Sequence, residues 1–385
     1  MKTSAFVIFI SIVLAVYGSA SYYIYYHGRH ALSGAAFLRL PYTIIFLFLS
    51  LTYIAARFLQ SYGESGISRF FLVIGSFWMA AIVYFFLACL LIDIMRGVNH
   101  FVTIYPASVF MNYEKVKLGL FFGLIILTSG IITYGYINAK HSVINEYEIT
   151  TNKKLDSPLT IVMASDIHLG PLSCGKWFDE QVEKINSLNP DVILLAGDVI
   201  DEDVKPVIEQ NLGEHLLNLK SKYGVYAITG NHEYIGGVEP SVKYLTEHGI
   251  KMLRDTAVTI DNKFCIIGRE DNDKLRFTGR DRKPLDEIMK DVNTSVPVIL
   301  MNHQPSNLSE LEGKNIDLSL SGHTHHGQFW PNSIVTNLIY EVSRGFIQKY
   351  GTNIYVSNGL GTWGPPIRVG NKPEIVKFTI RSINN

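Results

Sequence analysis

The stretch LSLSGHTHHGQFWP, residues 318–331, places three histidines within four positions at the end of an apolar run. Imidazole is the most common protein ligand of transition metals, and side chains two positions apart on an extended segment point to the same side. Gly322 stands before the cluster and lets the backbone turn sharply beside an ion. The pattern indicates a metal site, with a histidine-rich surface loop as the alternative for this stretch taken alone.

Four apolar runs upstream end in the same way, in polar residues that can bind a metal. The runs cover 159–165, 191–196, 224–229 and 296–301, and the polar residues after them are Asp166, His168, Asp198, Asp201, Asn231, His232 and His303. The runs are nearly continuous in apolar residues, as in strands covered on both faces, and helical patterns separate the first three. Taken singly, each polar residue has a plainer explanation as a helix cap or turn former. Because ligands bind at the carboxyl ends of strands in α/β sheets, all of them can meet at one site.

The combined set mixes carboxylates, one amide and several imidazoles, and contains no thiolate. Oxygen and imidazole ligands suit manganese, iron or zinc, with magnesium as a further candidate, and argue against copper(I) and iron–sulfur clusters. Seven ligands are too many for one tetrahedral ion, but they suit two ions about 3.5–4 Å apart that share a carboxylate. Such a pair polarises a phosphoryl group and lowers the pKa of a bridging water.

The N-terminal part of the chain has a different composition. Residues 1–140 carry only 12 Asp, Glu, Lys and Arg residues, whereas the other 245 residues carry 56. Four apolar windows, about 4–26, 41–62, 70–93 and 118–139, reach the length that a helix needs to cross hydrocarbon, and their only charged residues are Arg57 in the second and Asp93 at the end of the third. Buried core helices are the alternative, but the windows lack an amphipathic period. We predict a transmembrane domain over 1–140, a polar linker over 141–157 and a catalytic domain over 158–385.

Two features bear on the topology of the N-terminal part. Lys2, an apolar run and Gly18-Ser19-Ala20 resemble a cleavable signal peptide, but the run continues past Ala20, which favours an uncleaved helix. The basic residues on one side of the predicted helices are Arg29, Arg39, Arg96, Lys115 and Lys117, and those on the other are Lys2, either Arg57 or Arg69, and Lys140. This small excess favours an extracytoplasmic C-terminal domain by the positive-inside rule.

In chain order, the polar segments resemble the five motifs of the calcineurin-like metallophosphoesterases. The matching segments are Asp166-x-His168, Gly197-Asp198-x-x-Asp201, Gly230-Asn231-His232-Glu233, Asn302-His303 and Gly322-His323-x-His325. The strings SDIHLG, AGDVID, GNHEY, NHQP and GHTHxGQ further resemble the membrane-associated bacterial branch that includes the YkuE- and YaeI-like phosphodiesterases. The resemblance covers residues 159–380. It implies an α/β fold, a four-layer αββα sandwich, here preceded by an all-α membrane domain of about four helices.

The resemblance also implies a role for each site residue. The ligands of the first ion would be Asp166, His168 and His325; the bridging ligand would be Asp198; and the ligands of the second ion would be Asn231, His303 and His323. His232 would serve as general acid to the leaving oxygen, or stabilise charge on the phosphoryl group, and Asp201 would orient it. At His326 the family pattern has glycine. His326 would either donate to the substrate phosphate, or point outward or lie behind the metal ligands.

The resulting prediction is a membrane-anchored, dinuclear metal-dependent phosphoesterase of the bacterial inner membrane. A metal-bridging hydroxide would attack a phosphodiester, phosphomonoester or pyrophosphate. The membrane helices favour a lipid-linked substrate, such as a phospholipid or an undecaprenyl-linked or UDP-diacylglucosamine-type intermediate, although a tether can also serve a soluble substrate. The alternative is a transporter or scaffold whose metal domain is structural or sensory, for which missing ligands or intramembrane charges are expected. The formal net charge of zero argues against nucleic acid as a partner, and the oligomeric state is left open.

Overall fold

The computed structural model describes residues 3–383, which divide into two compact units. The helical unit extends to Tyr136 and includes Gly364–Pro366. The two-sheet unit comprises Ile137–Trp363 and the chain from Ile367 onward. Lys2, which entered the predictions of a signal peptide and of orientation, lies outside the described residues.

The helical unit contains four long helices and one short one: α1 Thr3–Ala31, α2 Arg39–Gln60, α3 Gly66–Phe101, α4 Ala107–Met111 and α5 Tyr113–Ala139. Within the described residues, three segments are long and apolar enough to cross a membrane: Ala36–Gln60, Gly66–Phe101 and Tyr113–Ala139. These correspond to the second, third and fourth predicted helices. The first predicted helix forms as α1, but it is not among these segments, so its membrane crossing stays a prediction.

The two-sheet unit is built from twelve strands. They are β1 Val143–Thr151, β2 Leu159–Ala164, β3 Val192–Leu195, β4 Val225–Ala227, β5 Ile250–Met252, β6 Thr256–Ile260, β7 Phe264–Gly268, β8 Val298–Met301, β9 Leu318–Ser321, β10 Gly345–Lys349, β11 Thr352–Val356 and β12 Glu374–Ser382. One sheet has the order β1-β12-β2-β3-β4-β5, and the other has the order β10-β11-β9-β8-β7-β6. Pairing is parallel except for β12 with β2, β6 with β7 and β10 with β11.

Eight short helices complete the unit. They are α6 Gly175–Ser187, α7 Lys205–Glu209, α8 Gly213–Leu216, α9 Asn231–Gly236, α10 Val238–Glu247, α11 Lys274–Thr278, α12 Leu285–Met289 and α13 Asn332–Ile339. The helical pattern over 207–220 is interrupted, because Asn211 adopts a left-handed conformation with φ 52° and the chain restarts at α8.

The segment predicted as a polar linker, 141–157, contains strand β1, so the linker prediction is wrong over these residues. β1 pairs in parallel with β12, from Val143 opposite Glu374 to Thr151 opposite Ser382. It lies at the edge of its sheet and its side chains alternate between exposed and more buried positions over most of its length. An exposed edge strand needs few apolar residues, which is why the sequence reads as a polar connection.

The central strands of each sheet carry apolar side chains on both faces. In β2, Ile161 and Met163 belong to the core between the two sheets, whereas Val162 and Ala164 pack on the outer side with α6 residues such as Val182. Helix α12 covers the outer face of the other sheet through Leu285. Each such buried side chain contributes about 1.5–3 kcal/mol. The arrangement confirms the predicted helix–sheet–sheet–helix order.

Candidate metal centre

The structure brings all nine predicted site residues together at the carboxyl ends of five strands. Asp166 and His168 follow β2, Asp198 and Asp201 follow β3, Asn231 and His232 follow β4, His303 follows β8, and His323 and His325 follow β9. Both sheets therefore contribute to one cluster. The parallel strands of each sheet explain how residues far apart in the chain reach the same edge.

One group of potential ligands consists of Asp166, His168 and His325. Their ligand atoms all lie within 4.8 Å of one another, and all three residues are buried. The two Nε2 atoms of His168 and His325 are 3.0 Å apart, and His325 Nε2 is 3.4 Å from Asp166 Oδ1. Two imidazole nitrogens and a carboxylate oxygen that converge in this way provide three ligands for one cation.

A second group consists of Asp198, His303 and His323, with Asn231 beside them. His303 Nε2 lies 3.1 Å from Asp198 Oδ2, and Asn231 Oδ1 lies 2.7 Å from His323 Nδ1 and 3.3 Å from His303 Nε2. His303 Nδ1 lies 2.8 Å from the carbonyl of Ala196. That carbonyl selects the tautomer with the proton on Nδ1 and leaves Nε2 as a ligand.

The Asp198 carboxylate lies between the two groups. Its Oδ2 atom is 3.1 Å from His303 Nε2 and 3.9 Å from His168 Nε2. Its Oδ1 atom accepts a hydrogen bond of 2.9 Å from the backbone N–H of His232, which holds the carboxylate in this orientation. Oδ2 of Asp198 therefore lies near one ligand imidazole of each group.

Five of the seven potential ligands have a left-handed backbone conformation. Their φ angles are 52° at Asp166, 51° at His168, 51° at Asp198, 70° at His323 and 45° at His325. A residue other than glycine seldom has this conformation, which costs on the order of 1–3 kcal/mol and is concentrated at functional sites. The folded chain sustains this strain to turn the ligand side chains toward a common point.

Two glycines allow the ligand loops to approach one another. A Cβ atom at Gly230 would overlap the carboxylate of Asp198, and one at Gly322 would overlap the carboxylate of Asp166. Any side chain at either position would push a ligand out of the cluster. The glycines of the two motifs are therefore required by close packing.

The electrostatics of the cluster fit a divalent metal centre. Burial would raise the pKa of Asp198, but the charges of His303 and His232 outweigh burial and hold it well below its usual value. Burial and the charge of His303 lower the pKa of His323 to about 3, and burial with the charge of His168 lowers that of His325. An ionised carboxylate and neutral imidazoles are the protonation states that bind metal.

Asp198, His323 and His325 are thus in the protonation states that bind metal. Burial raises the pKa of Asp166, and the charge of Asp198 outweighs burial and raises that of His303, so these two ligands would release a proton when a cation binds. The donor set of carboxylates, one amide and imidazoles fits two divalent cations.

His232 and Asp201 form a pair beside the two groups, and a ring nitrogen of His232 lies within 4.8 Å of ligand atoms of His168 and Asp198. Nδ1 of His232 lies 2.9 Å from Oδ1 of Asp201. The same oxygen is 3.3 Å from Nδ1 of His168, so Asp201 contacts two imidazole rings. The contact with His168 was not predicted from the sequence. Burial lowers the pKa of His232, but the charges of Asp198 and Asp201 outweigh it and raise the pKa to about 9.

The sequence analysis missed Arg368, which supports the first group. Its side chain is fully buried, and Nη2 lies 3.2 Å from Nδ1 of His325. The guanidinium also donates to the carbonyls of Gly359 and Gly361 and to Asn371 Oδ1. A lone arginine in a loop gives no sequence signal for this role.

Glu233 is a second residue that the sequence analysis left without a role. It is fully buried, and its carboxylate accepts backbone hydrogen bonds from Gly230, Asp198 and Ile200. The two ligand loops after β3 and β4 are thereby joined. Its position three residues after Gly230, in the first turn of α9, is the capping pattern that could have identified it.

His326 does not point outward, so that alternative is wrong. The residue is buried, and its Nδ1 lies 3.0 Å from the hydroxyl of Ser343. It belongs to none of the groups of potential metal ligands in the described chain. His326 packs behind the ligand loop.

Exposed apolar side chains border the cluster. The ring of Trp363 lies 6.1 Å from that of His232, and the ring of Tyr340 lies 6.0 Å from that of His323. Helix α13 precedes Tyr340, and its exposed large side chains are Ile334, Val335, Leu338 and Ile339. We refer to these four exposed residues, with the exposed Trp330 and Trp363, as the α13 patch.

Comparisons with known proteins agree on the family. Residues 159–327 match the family described as calcineurin-like phosphoesterase. An uncharacterized metallophosphoesterase of Aquifex aeolicus (strain VF5) is 34% identical, over 66% of this chain and 97% of the relative. The uncharacterized metallophosphoesterase Cj0846 of Campylobacter jejuni is 30% identical, over 98% and 99%. The uncharacterized metallophosphoesterase YkuE of Bacillus subtilis (strain 168) is 29% identical, over 58% and 79%.

Proposed function

Since the chain belongs to the calcineurin-like metallophosphoesterase family and is a phosphoester hydrolase, we propose that it cleaves a lipid-linked phosphoester with two divalent metal ions. Three membrane-length apolar segments associate the protein with a membrane. The observation that carries the choice of a lipid-linked substrate is the α13 patch beside the metal centre.

The two ligand groups define the proposed metal sites. Asp166, His168 and His325 would hold one ion, Asn231, His303 and His323 would hold the other, and Asp198 would be available to both. Two bound divalent ions would supply Lewis-acid polarisation of the phosphoryl group and a water of lowered pKa. Oxygen and imidazole ligands favour manganese, iron or zinc, and magnesium is also compatible.

His232 provides the proton in the proposed reaction. Oδ1 of Asp201 lies 2.9 Å from Nδ1 of His232, which leaves Nε2 of His232 as the nitrogen that faces the substrate. As the phosphorus–oxygen bond to the leaving group breaks, Nε2 gives its proton to the leaving oxygen. Water supplies the new oxygen on phosphorus and releases one proton, which returns His232 to its protonated form through solvent. Asp201 stabilises the imidazolium before transfer and fixes the orientation of the ring.

The α13 patch supports a substrate that resides in the bilayer. Positions 334, 335, 338 and 339 fall on one face of α13, and Leu338 is 82% exposed. Apolar residues with neighbouring tryptophans are typical of surfaces that enter the interfacial region of a membrane. A patch inserted there would present a lipid-linked phosphate to the adjacent metal centre.

Reconstituted full-length protein tests this proposal. Hydrolysis of a long-chain lipid phosphodiester in proteoliposomes is compared with hydrolysis of a soluble aryl phosphodiester. We expect Leu338→Ser to lower kcat/KM for the lipid substrate about tenfold, since burial of a leucine contributes about 1.5–3 kcal/mol, and to leave the soluble reaction unchanged. Leu217→Ser, an exposed leucine outside the patch, is the matched control. Equal losses on both substrates, or no loss, would contradict a lipid-linked substrate.

We also propose the location of the protein. The distribution of basic residues favours a multi-pass protein of the bacterial inner membrane whose two-sheet unit faces outward. This location would give the enzyme access to lipid-linked intermediates on the outer leaflet.

A further inference from the structure

The helical unit contains a cavity that no part of the hydrolytic reaction uses. It lies among α1, α2, α3 and α5, is partly open, and has a volume of about 840 Å³. Most of its wall is apolar, formed by residues such as Leu49, Phe77, Trp78, Leu124 and Ile132. This volume lies within the range of roughly 300–1,000 Å³ that is typical of ligand sites. We call it the interhelical cavity.

The polar part of the wall is basic. Four basic residues line the cavity, His27, His30, Arg96 and Lys117, and none of the described residues that line it is Asp or Glu. Contacts hold these side chains at one end of the helices: Arg96 Nη2 lies 2.5 Å from the hydroxyl of Tyr113, and Lys117 Nζ bonds to Ser33. The cavity therefore has an apolar body and an end lined by basic side chains.

Two acidic residues outside the lining hold the basic groups in place. Asp93 lies 3.0 Å from His27 Nε2 and 3.5 Å from Arg96 Nη1, and Glu114 lies 2.8 Å from Lys117 Nζ. An arginine has five N–H donors and a lysine three. The contacts described above occupy two donors of Arg96 and two of Lys117. Each of these side chains therefore retains at least one donor for an anionic ligand. Lys117 is also only 7% exposed, and a buried ionisable group within a membrane domain usually marks a functional site.

We propose that the interhelical cavity binds an anionic phospholipid. The phosphate accepts hydrogen bonds from Arg96 and Lys117, with His27 and His30 beside it, and an acyl chain occupies the apolar body. Arginine suits the planar array of phosphate oxygens, and basic pockets between transmembrane helices are known to hold anionic headgroups. The choline cation of a zwitterionic lipid would lie beside the same basic side chains, which an anionic headgroup avoids.

The basic end of the cavity lies near the start of α5. Lys117 is the fifth residue of α5, and Tyr136 lies 19 residues further along the same helix, about 28 Å away at 1.5 Å per residue. The basic end is thus at the opposite end of α5 from the residues that lead into the two-sheet unit. The inference does not depend on a lipid-linked substrate.

Native mass spectrometry of the full-length protein tests the proposal. Delipidated protein is offered dioleoyl phosphatidylglycerol, dioleoyl phosphatidylcholine or palmitate at equal concentrations. We expect one phosphatidylglycerol to remain bound per chain and little phosphatidylcholine or palmitate. Equal retention of phosphatidylcholine, or preference for palmitate, would overturn the proposal, and this comparison needs no variant.

Variants locate the site. We expect Arg96→Gln combined with Lys117→Gln to lower phosphatidylglycerol occupancy about tenfold or more, as expected for loss of charge-assisted hydrogen bonds. Arg69→Gln, at the other end of α3, is the matched control and should retain the lipid. Retention of the lipid by the double variant would overturn the assignment. Activity of the double variant on a soluble diester shows that this variant is folded. Retention of phosphatidylglycerol by the inactive Asp198→Asn chain would show that lipid binding in the cavity does not require catalysis.

Discussion

Asp201 Oδ1 lies 2.9 Å from Nδ1 of His232 and so connects a carboxylate of the loop after β3 to the proposed acid at the start of α9. The same oxygen is 3.3 Å from Nδ1 of His168, a proposed metal ligand. One carboxylate thus orients both the proton donor and a ligand. Its loss should change the acid–base behaviour of the enzyme as well as the metal site.

Asp201→Asn should shift the alkaline limb of the pH–rate profile to lower pH. The pKa of His232 is raised to about 9, with Asp198 and Asp201 outweighing burial. The protonated form is the acid, so activity is lost as pH rises through this pKa. Removal of one negative charge lowers the pKa, and the loss then begins at lower pH. The measurement is kcat against pH at saturating metal.

The matched control is Asp203→Asn. Asp203 lies two residues from Asp201, and among its described contacts its carboxylate accepts a hydrogen bond only from the backbone N–H of Lys205. Its profile should be that of the unmodified enzyme. An unchanged alkaline limb in Asp201→Asn would show that Asp201 does not set the pKa of His232.

His232→Ala should retain both metal ions and lose most turnover. The side chain is proposed as the proton donor, and general acid catalysis typically contributes about 10²–10⁴-fold. Metal content by mass spectrometry and kcat on a soluble aryl phosphodiester are measured together. Two bound metals with full activity would contradict the assigned role, and loss of metal would mean that His232 is itself a ligand.

Asp198→Asn should abolish metal-dependent hydrolysis while the chain remains folded. Oδ2 of Asp198 lies near one ligand imidazole of each group, and an amide cannot supply a charged bridging oxygen. The amide oxygen can still accept the backbone hydrogen bond from His232, which preserves the loop. We expect fewer than two metals per chain and a thermal unfolding midpoint close to that of the metal-free parent. Retention of two metals with activity would exclude the bridging role.

Much of the centre could be predicted because each ligand follows a buried strand, and parallel strands end at a common edge. Asp166 after β2 and His303 after β8 illustrate this, because each stands at the carboxyl end of a buried strand that the sequence pattern identifies. Arg368 could not be predicted, because its contact with His325 depends on the fold of a loop without a periodic pattern. β1 was missed for a different reason: an exposed edge strand lacks the apolar run by which buried strands are recognised.

Arg368→Met should weaken metal binding at the first group. The guanidinium touches His325 Nδ1 and ties the loop carbonyls of Gly359 and Gly361 beside it. Loss of a residue that orients a metal ligand typically costs about 10–100-fold in metal affinity or activity. Metal titration compares this variant with Arg368→Lys, which keeps the charge but loses the planar array of donors. Unchanged metal affinity in Arg368→Met would restrict the arginine to a packing role.

The proposed orientation predicts that Cys174 is accessible from outside the cell. Cys174 is exposed at the start of α6 in the two-sheet unit, whereas Cys89 and Cys265 are buried. In bacterial spheroplasts that express the full chain, a membrane-impermeant maleimide should therefore modify Cys174 without permeabilisation, and Cys174→Ser should remain unmodified. The positive-inside argument rests on a small excess of basic residues, so a direct measurement decides it. Labelling only after detergent treatment would place the two-sheet unit in the cytoplasm and exclude access to lipid-linked substrates of the outer leaflet.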